Sequence, residues 1–148
     1  MQVVILSLIA ALIGAGLIVQ IGLNAQLRAA LGAVSIASIV NFVVGLAALV
    51  VVAIATVPRW PGAAEAAAVP RLAWLSGLFG ALYVAGSTVL GPKLGAVLFL
   101  SLTILGQVVA SLLVDHYGVL SFQAQPISVQ RMLGALLVVV GVVLVARA

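Results

Sequence analysis

The stretch WLSGLFGALYVAGSTVLGPKLGAVLFLSLTILGQVVASLLVDHYG, residues 74–118, decides how this chain folds. Two apolar runs are joined by Gly91-Pro92-Lys93-Leu94-Gly95, the strong backbone break inside continuous hydrophobic sequence. A proline flanked by glycines suits a hinge as well as a turn, which makes Gly91, Pro92 and Gly95 hinge candidates. Counting back from Asp115 in steps of four gives Ser111, Gln107 and Thr103. A helix stacks such positions on one face. Hydrocarbon cannot satisfy their hydrogen bonds, so the row must face protein, a cavity or a partner.

Composition supplies the solvent. Of 148 residues, 66% are hydrophobic and 5% charged, and the mean hydropathy is +1.48. A soluble domain carries about 25% charged residues. So few charges cannot cover a water-facing surface, and the chain reads as an integral membrane protein in contact with the lipid bilayer. The six basic residues are spread along the sequence and form no patch. They suit membrane-interface anchors and give no support for nucleic-acid binding. With no cysteine, one histidine and two acids, the chain offers no catalytic set, metal cluster or phosphate loop. No enzyme, metal or cofactor is implied.

Spans of about 20 apolar residues set the architecture. Five are expected, over 3–22, 34–57, 72–90, 94–114 and 129–146, in one all-α transmembrane domain. Met1-Gln2 lacks a basic leader and the first run is long for a signal peptide, so an uncleaved span is expected there. Pro58, Pro61 and Gly62 close the second span, and residues 63–70 form an Ala-rich connection. The first span ends in Gly16, Gln20, Asn24 and Arg28 at steps of four, a second polar face. Ser35, Ser38, Asn41 and Gly45 interrupt the second span, and Tyr83, Ser87 and Thr88 the third. Between Met132 and Ala146 the fifth span has no hydrogen-bonding side chain, which suits lipid or helix packing.

Five spans place the two ends on opposite sides of the membrane. Arg59, Arg71 and Arg131 would then lie on one side and Arg28, Lys93 and Arg147 on the other. Orientation follows the Lys/Arg bias of the loops, and here the two sides balance. Insertion both ways round, and with it an antiparallel homodimer, is compatible with this chain.

Several polar residues read two ways. Asp115-His116 either caps a helix at the interface or serves as a coupling group at the mouth of a pathway. Gln107, Gln20, Asn24 and Asn41 make either interhelical hydrogen bonds or substrate contacts. Lys93 reads as a snorkelling residue and Arg28 as an anchor, with neutralisation of an anionic substrate as its alternative. Neither Glu65, in a loop, nor Asp115, at a helix end, is the deep carboxylate that simple cation/proton exchange needs.

The early GLNAQLR (22–28), SIVNFVVG (38–45), the 74–118 stretch and the closing RMLGALLVVVGVVLVAR (131–147) resemble the YdcZ-type family of the drug/metabolite transporter superfamily. The resemblance covers essentially the whole chain. Its most specific part is Gly91-Pro92, Gly106-Gln107, Asp115-His116-Tyr117-Gly118, Arg131, Gly134 and Gly141. It implies a bacterial inner-membrane transporter of a small molecule, with half the spans of ten-helix carriers built as inverted repeats. A lone half implies a homodimer or a related five-span partner. Where small multidrug exporters of the superfamily have a glutamate in the first span, this chain has Gln20 and Asn24, which speaks against multidrug–proton exchange.

Alternating access would then use Gln20, Asn24, Asn41, Tyr83, Thr103, Gln107 and Ser111 as substrate contacts. A dual-topology ion channel and a non-transporting membrane partner subunit are the alternative readings.

Overall fold

The computed structural model describes residues 2–120 and 122–148. The helices are α1 (Gln2–Leu31), α2 (Val34–Thr56), α3 (Ala63–Ala67), α4 (Ser76–Leu94), α5 (Ala96–Tyr117) and α6 (Val129–Arg147), and a 3-10 turn over Arg71–Leu75 leads into α4. The described residues contain no strand. Five helical segments are long and apolar enough to cross a membrane: Val4–Leu31, Val34–Thr56, Arg71–Leu94, Ala96–Tyr117 and Val129–Arg147. The chain is an all-α, polytopic membrane protein.

The first helix outruns the span read from its sequence. At 1.5 Å per residue its 30 residues measure about 45 Å, against about 30 Å of hydrocarbon. It passes through Gly22 and stops at Gly32, whose φ of +77° turns the chain back toward α2. The Gly32 N–H bonds the Arg28 carbonyl at 2.9 Å, a left-handed helix stop. The Ala-rich connection also differs from expectation, because residues 63–67 form a short helix. Glu65 starts it by accepting the Gly62 N–H at 2.6 Å and pairing with Arg59. The Gly62 N–H first, and Arg59 second, hold its carboxyl below the usual glutamate range.

The helices divide into two compact units, Met1–Pro92 and Lys93–Ala148. In the first, α1 and α2 form a hairpin, and α4 joins them through small side chains. Buried positions are Ile21 and Asn24 on α1, Ala37 and Ser38 on α2, and Val84, Ser87, Thr88 and Gly91 on α4. The α4 set falls at i, i+3, i+4 and i+7, one helix face. This interior is small and polar, as expected where lipid is already apolar and close packing drives association. Ser87 and Thr88 satisfy their hydroxyls on the Val84 carbonyl, at 3.0 and 2.7 Å. The large aliphatics turn outward, with Leu12 72% and Leu49 68% exposed.

In the second unit α5 and α6 form another hairpin. Gly118, at φ +59°, ends α5. Ser128 starts α6 by accepting the Arg131 N–H at 3.3 Å.

The Gly91–Gly95 segment contains the boundary between the units. Helix α4 continues through it to Leu94, with Pro92 in the last turn. There proline removes a single donor, the one that would meet the Thr88 carbonyl. The break comes at Gly95, whose φ of 80° and ψ of 150° lie in a region almost reserved for glycine. Gly91 is closely packed, since a Cβ there would come within 2.6 Å of Ile21 Cγ2.

A Gly91→Ala substitution therefore overpacks the α1–α4 contact and destabilises the protein by about 1–3 kcal/mol. Gly141→Ala, where a Cβ meets nothing within 4 Å, is the control expected to stay near neutral. Thermal unfolding in detergent checks both, and equal effects of the two would contradict this packing.

Candidate functional site

The α1–α2 hairpin brings together three of the polar residues singled out in the sequence. Gln20 Nε2 donates to Asn41 Oδ1 at 3.1 Å across the two helices. Asn24, one turn further along α1, is 2% exposed. Its amide has no hydrogen-bond partner among the described residues. All three line a cleft of about 410 Å³ walled by Gly16, Val19, Leu23, Leu27, Val40, Val44 and Gly45. Gly16 and Gly45 leave room at one end, while the valines and leucines keep the walls apolar.

Helix geometry explains the pairing. In an antiparallel hairpin turning at Gly32-Ala33, Gln20 and Asn41 both lie a few helical turns back from the bend, on facing sides, so their side chains meet. An interhelical amide bond of this kind contributes about 1 kcal/mol in a membrane protein. It uses one donor and one acceptor of two amides that together offer four donors and two carbonyl oxygens. The remaining donors and acceptor of this pair have no partner among the described residues. A volume of this order also falls within the range of about 300–1,000 Å³ usual for small-molecule sites.

Other expected site residues lie outside this cleft. Tyr83 is half-buried on α4 and is not part of its lining. Thr103, Gln107 and Ser111 belong to the second unit. The hydroxyls of Thr103 and Ser111 bond their own helix, at the Leu100 and Val108 carbonyls, each at 2.9 Å. Gln107 is exposed. Ser111 lines a second hollow of about 270 Å³ with Val108, Leu112, Asp115, Arg131, Gly134, Ala135 and Val138.

Asp115 and His116 turn to different partners. Asp115 Oδ2 accepts from Arg131 Nη1 at 3.2 Å, and the same guanidinium bonds the Gln125 carbonyl at 3.3 Å and the Gln125 side-chain oxygen. The Asp115 carbonyl takes the Gln125 N–H at 2.7 Å. His116 Nδ1 accepts the Ile127 N–H at 3.4 Å, and its ring meets Tyr117 edge-on with centroids 4.9 Å apart. Together these contacts tie Gln125 and Ile127 to the end of α5 and the start of α6. The hinge candidates also separate: Gly91 is a close-packing position, Pro92 sits inside α4, and Gly95 carries the backbone break.

Two features were not assigned from sequence. The Asp115–Arg131 pair was missed because its members are far apart in sequence and Arg131 reads as an anchor. Ser38 is buried and its hydroxyl lacks a partner among the described residues. Its signal was the three-residue step to Asn41, which puts both on one side of α2.

The chain matches, over residues 5–144, the family model described as "Putative inner membrane exporter, YdcZ". It belongs to the YdcZ family. No curated protein and no solved structure matches it. With five apolar helices, this YdcZ-family chain is a multi-pass protein of the inner membrane and a membrane transporter.

Proposed function

We propose that this chain carries a small polar solute across the inner membrane by alternating access, working as a dimer. The observation that carries the reading is the amide-lined cleft between α1 and α2, with Gln20, Asn24 and Asn41 on apolar walls. Amides bind and release a solute without being titrated, which suits a chain that places no carboxylate in this cleft. Thr103, Gln107 and Ser111 on α5 and Tyr83 on α4 are proposed as further contacts along the path, and Asp115 and His116 as the coupling groups. Gly95, just past the boundary between the compact units, is the proposed hinge.

Two features support the dimer. Five spans are half the number in carriers built as two inverted repeats around a central site. The basic residues also balance, with Arg59, Arg71 and Arg131 against Arg28, Lys93 and Arg147. That balance permits a second copy of opposite orientation.

Purified chain reconstituted in vesicles and offered a defined mixture of small metabolites tests the carrier. The expected result is saturable uptake of at least one solute, seen by mass spectrometry of the vesicle contents. Asn41→Leu, which removes the amide while keeping the volume, should abolish it. Linear, non-saturating conduction would favour a channel, and inert vesicles would favour a subunit that needs a different partner.

Orientation is tested separately, with single cysteines introduced near either end of this cysteine-free chain. Labelling of intact cells should reach each end in about half the molecules if the chain inserts both ways at equal rates. One fixed orientation would remove the antiparallel homodimer.

A further inference from the structure

The same face of α1 continues past the cleft, and it points to the chemistry of the cargo. Gln20, Asn24 and Arg28 recur every four residues, each about 6 Å further toward the α1–α2 turn. Gln20 is engaged with Asn41. Asn24 is 2% exposed, and its amide has no hydrogen-bond partner among the described residues.

Arg28 is half-buried, and its guanidinium has no hydrogen-bond or ion-pair partner among the described residues. The chain has two acidic residues, and both are engaged elsewhere, Glu65 with Arg59 and Asp115 with Arg131. Arg71, Lys93 and Arg147 also lack a carboxylate, but they are exposed. Arg28 therefore stands out as a partly desolvated cation for which this chain supplies no counter-charge. Beside it lies a hollow of about 400 Å³ lined by Ala25, Arg28, Ala29, Gly32 and Pro92. Its small side chains leave space beside the guanidinium.

Resting on the carrier reading above, we propose that Arg28 binds the carboxylate of a small monoanionic solute seated in the hollow beside it. A guanidinium holds a carboxylate through two parallel N–H bonds. One cation in the column fits one negative charge. A lipid phosphate presents similar oxygens to the same guanidinium, so the test must separate the two sources.

The experiment follows the thermal unfolding midpoint of the purified full chain in lipid-free detergent, at constant ionic strength. The probes are acetate, lactate and pyruvate, each titrated against sodium chloride, with acetamide and lactamide as uncharged counterparts. The expected result is saturable stabilisation by at least one carboxylate and none by its amide. Arg28→Gln should weaken the half-saturating concentration at least about tenfold, and Arg28→Lys should recover part of the loss. Arg147→Gln, at an exposed cation, should leave the response intact.

The proposal is overturned if no carboxylate stabilises the wild type beyond chloride, or if Arg28→Gln responds as Arg147→Gln does. Stabilisation only by added phosphatidylglycerol, lost in Arg28→Gln, would assign Arg28 to a lipid headgroup and overturn it too. Flux separates this failure from that of the carrier. Carboxylate binding without vesicle uptake would sink the carrier and keep the anion site, whereas uptake indifferent to Arg28→Gln would do the reverse.

Discussion

A polar group inside a bilayer has no water to bond, and that constraint governs every part of this chain. Each polar side chain on its helices must meet its own backbone, another helix, or something that enters from outside. Four hydroxyls, those of Ser87, Thr88, Thr103 and Ser111, take the first course and bond carbonyls three or four residues back, while that of Ser38 finds no partner among the described residues. Gln20 and Asn41 take the second, across the α1–α2 hairpin. Asn24 and Arg28 take neither, and the functional reading grows from those two.

The same constraint explains the packing. Between helices already surrounded by apolar lipid, large aliphatic side chains gain little by turning inward, so small residues hold the first unit together. Ile21 lies so close to Gly91 that a larger residue there would crowd it, and Phe42 packs over Gly80 at ordinary contact distance. The second unit is secured at its ends, where Arg131 gathers Asp115 and Gln125, and Ser128 caps the first turn of α6. Each hairpin thus combines close helix contact with a few directed polar bonds.

Much of the fold was legible in the sequence because membrane spans depend on composition and on breaks, both of which are local. Pro58 and Gly118 end helices where their backbone chemistry says they should, whereas the stop of α1 at Gly32 lay ten residues past the span read from the sequence. The amides Gln20, Asn24 and Asn41 were legible as polar positions for the same reason, since they stand out against aliphatic neighbours. What remained hidden depends on register between segments. The Asp115–Arg131 pair forms because the α5–α6 hairpin sets the two ends side by side, which no local pattern encodes. The row Thr103, Gln107, Ser111 and Asp115 was legible as one helix face, but the inward bonding of its hydroxyls was not. Pro92 misleads in another way: in a last helical turn it removes a single hydrogen bond, so the helix runs past it and breaks at Gly95.

The central claim is that the α1 polar face meets water or solute rather than sealed protein. Asn24→Cys, in a chain with no other cysteine, tests it most directly by reaction with a charged, membrane-impermeant maleimide in native membranes, with lipid-facing Leu49→Cys as the reference. The account predicts that position 24 is labelled and position 49 is not. If Asn24→Cys stays as unreactive as Leu49→Cys, the amides are structural bonds in a dry interface, and the solute path lies elsewhere.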